Sequence, residues 1–311
     1  MTRKVATMGH ISDEQRLVLQ EILGEKMLLE TFNGRREDIL EEPQGIEVVF
    51  GGVCKEEFLA LGDLRWVHAG GTGVEGMMFD ELRESDVVVT CSRGHSAVPM
   101  SEHMIAGMFY FTRDFPAFET ANRQRQWHPD ELFMRRVEGS KAVVLGVGGI
   151  GRCLAEKLVA LGMEVIGVNS TGEQVEPCSA VYTLETVGDH LSEVEHVFDT
   201  FPATPYTRKA INAAFLSKLK RGATVHNVGR GKTIDESALL EALDSGQVFG
   251  AVLDVTDPEP PPEDSPLYAH PRVLVTGHSS WRPKEGDWDP WDLFCRNLER
   301  YVESGVENLE S

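Results

Sequence analysis

Apolar residues in this chain gather in short runs separated by stretches with helical spacing. The first third carries five such runs, at 5–8, 27–31, 46–50, 66–69 and 87–90. Runs of this length without polar alternation suit strands covered on both faces, as in a parallel sheet. Between the first two, Ser12 and Gln15 form an S-x-x-Q capping box ahead of Leu17, Val18 and Ile22, which marks a helix start. The rest of the chain repeats the rhythm. Runs at 142–145, 165–168, 196–200, 224–228, 248–253 and 273–276 predict strands, and 211–219 and 235–243 predict helices. The stretch 99–125, with Ile105, Met108, Phe109 and Phe111 on one side, reads as one long helix joining the two halves. A last helix over 284–302 carries Trp291, Phe294, Leu298 and Val302 at helical spacing. This alternation predicts the α/β class, with two Rossmann-like doubly wound parallel-sheet domains. The last helix is expected to return to the first domain, which is then discontinuous.

One stretch carries more than pattern. Residues 141–172 read KAVVLGVGGIGRCLAEKLVALGMEVIGVNSTG. An apolar strand leads into Gly146, Gly148 and Gly151 in G-x-G-x-x-G spacing, with Gly149 and Ile150 between them. Leu154, Leu158 and Leu161 then follow at helical spacing, and a second strand closes the unit. This is the dinucleotide-binding fingerprint, in which a helix N-terminus faces a pyrophosphate. The second strand ends in Val168-Asn169-Ser170-Thr171, and the first acid beyond it is Glu173. NAD sites usually place an acid there for the ribose hydroxyl. Asn169, Ser170 and Thr171 instead offer donors to a 2′-phosphate, so the sequence leans to NADP(H), with NAD(H) left open. The domains are therefore expected at 1–98 plus 284–311 for the substrate (catalytic) domain and 99–283 for the dinucleotide-binding domain.

Composition narrows the partners. The 311 residues are 41% hydrophobic, enough for two packed domains. Fifty acids against 30 bases give a net charge of −20, which argues against nucleic acid or an anionic membrane as partner. A small anionic substrate must then be drawn in by a local positive site. Five scattered cysteines without a C-x-x-C pair suit reduced thiols in the cytoplasm. The N-terminus has no long apolar segment, so no signal peptide is expected, and no pattern implies a metal.

Candidate chemistry lies just after predicted strands, the edge where open α/β sheets bind ligands. Arg230 stands in Asn-Val-Gly-Arg-Gly, Glu259 in Asp254-Val-Thr-Asp-Pro-Glu, and His278 in Thr-Gly-His-Ser-Ser. In the first half, Gly70-Gly71-Thr72-Gly73 forms a loop whose backbone N–H groups suit a carboxylate. A guanidinium clamps a carboxylate at two points. An imidazole exchanges a proton near neutrality, and a carboxylate beside it fixes the ring. Trp281 is either a wall of the substrate pocket or a packing residue.

The stretches LRWVHAGGTGVEG, VVLGVGGIG, FPATPYT, HNVGRG, AVLDVTDPEP and LVTGHSS, in this order, resemble the D-2-hydroxyacid dehydrogenases over nearly the whole length. The resemblance implies two similar domains flanking a cleft, a dimer built around the cofactor domains, and reduction of small 2-oxo acids to D-2-hydroxy acids. It implies that Arg230 binds substrate, that His278 is the acid/base and that Glu259 is its partner. It further implies that Asp254 meets the nicotinamide amide, that Pro202 and Thr207 belong to a cofactor loop, and that Thr72 and Gly73 hold substrate carboxylate. Two positions depart from the family: Gly277 stands where proline is usual before the histidine, and Gly229 where Ala or Ser is usual before the arginine. Two alternatives stay open. One is a nucleotide-sensing, corepressor-like binding protein, and the other is a dehydrogenase of another small anion. Formate fits less well, because that branch carries Gln where this chain has Glu259.

Overall fold

The computed structural model describes residues 2–32, 34–71, 73–92, 96–282 and 290–310. The chain divides into two compact units, Met1–His95 with Pro283–Ser311, and Ser96–Arg282. The first unit holds strands β1 (Lys4–Thr7), β2 (Leu28–Thr31), β3 (Ile46–Phe50), β4 (Trp66–Ala69) and β5 (Val88–Cys91), all parallel in the order β2-β1-β3-β4-β5. Its helices α1 (Asp13–Leu23), α2 (Lys55–Ala60) and α3 (Asp80–Arg83) are the crossovers that parallel neighbours require. The capping box forms as read: Ser12 Oγ accepts from Gln15 N, and the Gln15 side chain accepts from Ser12 N.

The second unit holds β6 (Lys141–Leu145), β7 (Glu164–Val168), β8 (Ala180–Tyr182), β9 (Val194–Asp199), β10 (Ala223–Asn227), β11 (Val248–Leu253) and β12 (Val273–Val275). Their order is β12-β11-β10-β9-β6-β7-β8, again all parallel. The chain runs outward from β6 to β8 and then returns to β9 on the other side of β6. That reversal is a topological switch point, where the loops after β6 and β9 part and leave room for a ligand. Helices α4 (Ala97–Thr112), α5 (Phe115–Arg123), α6 (Gly149–Ala160), α7 (Ala213–Lys218), α8 (Glu236–Asp244) and α9 (Pro266–Ala269) complete the unit. Two apolar clusters hold them, one around Val197, Val225 and Leu253 and one around Met104, Val144 and Leu154. The final helix α10 (Pro290–Ser304) belongs to the first unit and packs Phe294, Leu298 and Tyr301 against Val5 and Trp66. The expected helix start at 284 lies outside the described residues.

The long helix expected over 99–125 is two helices. Asp114 adopts a left-handed backbone, φ 53°, between α4 and α5. Its carboxylate accepts from Phe133 N at 2.9 Å, so a contact nineteen residues away rewards the break. The short strand β8 escaped the pattern because three half-buried residues carry no periodicity.

Three buried histidines make stability depend on pH. His68 sits at 0% exposure, with Nδ1 2.7 Å from Thr90 Oγ1 and Nε2 3.0 Å from Ser92 Oγ. Burial lowers its pKa to about 4. His196 falls to about 3, through burial first and then Arg135 and Lys220, and burial lowers His226 well below the ordinary value. Each histidine binds a proton more readily when unfolded, so its stabilising contribution is full above about pH 6.5 and is lost as pH falls toward its folded value. Asp199 has the opposite sign, because burial raises it to about 7 and the folded form holds its proton longer. Three against one leaves a net loss on acidification, at about 1.4 kcal/mol per proton per pH unit. Urea unfolding between pH 7 and pH 5 is predicted to show a shallower pH slope for His68→Gln than for wild type, by about one proton. Equal slopes would contradict the assignment of His68 as a neutral buried group.

Candidate active site

The fingerprint turn lies between β6 and α6. Gly151 packs so closely on it that a Cβ there would stand 2.0 Å from the Gly146 carbonyl oxygen. At Gly148 and Gly149 an added Cβ would meet nothing within 4 Å. The turn is therefore closed on its inner side and open in front of the helix N-terminus, as an approaching pyrophosphate requires. Ile150 lies in the first turn of α6, half-buried. Thr200, after β9, donates from Oγ1 to Gly146 O at 2.6 Å and so ties the switch point together. Beyond β7, the Asn169 side-chain oxygen accepts from Thr171 N at 3.1 Å and Gly172 N at 2.6 Å, and its amide donates to Glu173 O. Asn169 thus shapes the turn together with Thr171, whose Oγ1 accepts from Glu173 N at 3.3 Å, and the side chains of Ser170 and Thr171 are exposed. These residues fit a dinucleotide, with hydroxyls rather than a carboxylate at the ribose end.

Across the switch point, Pro202 and Thr207 form a tight turn in which Thr207 Oγ1 donates to Pro202 O at 2.6 Å. Next come three adjacent strand ends. Arg230 follows β10, and its Nη1 donates to Gly229 O at 2.7 Å. Gly229 is compelled by packing, because a Cβ there would stand 2.6 Å from Phe201 O. Asp254 follows β11. Its Oδ1 accepts from Thr276 Oγ1 at 2.6 Å and Ser279 N at 2.9 Å, and its Oδ2 accepts from Ser280 N at 3.1 Å. Burial pushes this carboxyl up, but the bonds from Ser280, Thr276 and Ser279 outweigh it and hold the pKa below the ordinary value. Asp254 O also accepts from His278 N at 2.6 Å.

His278 follows β12 with φ 52°, after Gly277 at φ 61°. Two left-handed residues in succession explain the missing proline, whose ring fixes φ near −65°. The His278 Nδ1 pairs with Glu259 Oε1, and both side chains are half exposed. Trp281 Nε1 donates to His278 O at 3.0 Å, and its ring is 39% exposed. In the first unit, Gly73 lines a pocket of about 370 Å³ with Gly51, Gly52, Gly70, Gly71 and Arg36. The guanidinium of Arg36 is held there by Glu57, at 2.9 and 2.6 Å. Thr72 lies outside the described residues.

Some of this network was not legible in the sequence. Thr276 spends its one hydroxyl proton on Asp254, so the 3.0 Å bond from His103 Nε2 must be donated by the histidine. His103, in α4, braces the His278 loop through Thr276, 173 residues away. Asp199 and Thr233, which hold the Arg230 loop, also had no local signal.

Residues 105–280 match the family described as D-isomer specific 2-hydroxyacid dehydrogenase, NAD binding domain. The chain is 28% identical to a glycerate dehydrogenase of Methylorubrum extorquens over 88% of each chain. It is 32% identical to a glyoxylate/hydroxypyruvate reductase A of Photorhabdus laumondii, over 69% of this chain and 70% of that one. The fold matches the crystal structure of a D-isomer specific 2-hydroxyacid dehydrogenase from Xanthobacter autotrophicus in complex with NADPH and MES. That match has a TM-score of 0.84 at 28% identity, covering 100% of this chain and 98% of that one. With the fingerprint turn and both parallel sheets in place, the chain belongs to the D-isomer-specific 2-hydroxyacid dehydrogenases, a family of nicotinamide-dependent oxidoreductases.

Proposed function

We propose that this chain reduces a small 2-oxo acid to the D-2-hydroxy acid, with NADPH preferred over NADH. The observation that carries the proposal is the Glu259–His278 pair, in the loops after β11 and β12, at the sheet edge where Arg230 follows β10. The bound cofactor supplies hydride to the carbonyl carbon. Arg230 clamps the substrate carboxylate and fixes the carbonyl against the ring, a positioning effect worth several kcal/mol. His278 donates a proton to the carbonyl oxygen as charge develops there. With Nδ1 engaged by Glu259, Nε2 is the atom left for that transfer. Glu259 fixes the ring plane and balances the imidazolium. In the oxidation direction neutral His278 takes the proton back.

Glyoxylate, hydroxypyruvate and longer 2-oxo acids are the substrate candidates, in keeping with the relatives named above. Thr72 and Gly73 hold the substrate carboxylate through backbone N–H groups, and Trp281 walls the pocket. Pro202, Thr207 and Asp254 border the cofactor. Support for NADPH comes from the hydroxyls of Ser170 and Thr171 and from the NADPH-bound Xanthobacter relative. A cytoplasmic setting fits the five free thiols, and no described helix is long and apolar enough to cross a membrane.

The protein is further proposed to be a homodimer. Phe115, Phe133 and Met134 are about half exposed, and Trp127 is 89% exposed, within one segment of the second unit. A second copy would cover them. Sedimentation equilibrium is predicted to give about twice the 34.5 kDa chain mass, and Phe133→Glu is predicted to shift it toward one chain. A monomeric wild type removes this part of the proposal.

Kinetics test the chemistry. His278→Ala is predicted to lower kcat by about 10²–10⁴ while leaving NADPH affinity unchanged. Arg230→Lys is predicted to raise KM for the 2-oxo acid by about tenfold or more, because an ammonium cannot make the two-point contact. Both are read as absorbance loss of NADPH. Full turnover in His278→Ala would assign the proton to another group.

A further inference from the structure

Asp199 ends β9 at 0% exposure. Its Oδ1 accepts from Phe201 N at 2.9 Å. Its Oδ2 makes a short contact with Thr233 Oγ1. The same Thr233 Oγ1 lies 2.6 Å from the carbonyl oxygen of Arg230. Both contacts are too short for one hydroxyl hydrogen shared between two acceptors, since three-centre bonds are long, so two hydrogens are needed. A threonine hydroxyl has one and a backbone carbonyl has none. The second hydrogen can come only from the carboxyl.

We infer that Asp199 is a neutral carboxylic acid in the working enzyme and a positioning residue for Arg230. Its Oδ2–H donates to Thr233 Oγ1, and the Thr233 hydrogen goes to the Arg230 carbonyl. The inference rests on the proposed role of Arg230 as carboxylate clamp. Burial supports it, raising the Asp199 pKa to about 7 against the opposing bonds from Thr233 and Phe201. The elements around it bring few charges. The neighbouring strand β6 presents Leu145, and β10 presents His226 and Asn227. The turn after β10 carries Arg230 and the exposed Lys232, and Lys209 pairs with Asp235 at 3.1 Å.

The consequence follows from the proton count. Thr233 N and Asn227 Nδ2 also donate to the Arg230 carbonyl, each at 3.1 Å. If Asp199 ionises, Thr233 turns its only hydrogen to the carboxylate. Thr233 Oγ1 and the Arg230 carbonyl then face each other as two bare acceptors. The loop shifts to relieve them, and the guanidinium shifts with it. Substrate capture then weakens as pH rises.

The test compares wild type with Asp199→Asn between about pH 6 and pH 9, measuring KM and kcat for the best 2-oxo acid with NADPH. An asparagine amide donates to Thr233 as the neutral acid does. Wild-type KM is expected to rise about tenfold over this range, the scale of one lost hydrogen bond to the loop. Asp199→Asn is expected to hold the low-pH KM throughout, with kcat read separately in both proteins. Parallel KM profiles, or an Asp199→Asn KM already raised at low pH, would overturn the inference. The infrared difference between wild type and Asp199→Asn needs no substrate. A carboxylic acid C=O band present at pH 6 and gone at pH 9 is expected, and its absence at pH 6 would also overturn the inference. If the band is present but no 2-oxo acid is turned over, the proton stays assigned and the clamp reading of Arg230 falls.

Discussion

The carboxylate of Asp254 gathers the Thr276 hydroxyl and the N–H groups of Ser279 and Ser280, while its own carbonyl takes the N–H of His278. These bonds hold the loop after β12 in an unfavourable shape. A left-handed backbone at a residue with a side chain costs about 1–2 kcal/mol. Hydrogen bonds to a charged group are worth about 1.5–3 kcal/mol each, so three of them outweigh that cost. The geometry of His278 is thus fixed from the neighbouring strand rather than by its own loop. The Glu259 pairing then needs only to set the ring.

The parallel sheet supplies the rest of the arrangement. All seven strands of the second unit point their carboxyl ends to one edge. His278, Glu259 and Arg230 leave β12, β11 and β10 there, and neighbouring strands lie about 4.8 Å apart. The three groups thus share one edge of the second unit's sheet. The fingerprint turn after β6 lies two strands further on, past β9. Asp199 and Thr200, at the end of β9, connect the two regions: Thr200 bonds to the turn and Asp199 to the Arg230 loop through Thr233.

Most of the fold was legible because buried parallel strands are nearly continuous apolar runs. The runs at 46–50, 66–69 and 248–253 coincide with β3, β4 and β11. The glycine turn was legible from its spacing, since its demands are local. What could not be read depends on partners distant in sequence. The break at Asp114 is rewarded by Phe133, and Thr276 is braced by His103. Threonines and buried acids that count protons with one another leave no spacing pattern. The departures at Gly229 and Gly277 were visible as oddities, but only packing against Phe201 and two consecutive left-handed residues explain them.

The central claim is reduction of a 2-oxo acid carbonyl to the D alcohol, and wild-type turnover tests it most directly. NADPH and NADH would each be followed with glyoxylate, hydroxypyruvate, pyruvate and a longer 2-oxo acid, and chiral products would be resolved. The account predicts turnover of at least one acid, a higher kcat/KM with NADPH, and the D-hydroxy acid alone. No turnover with either cofactor, or an L product, would contradict it.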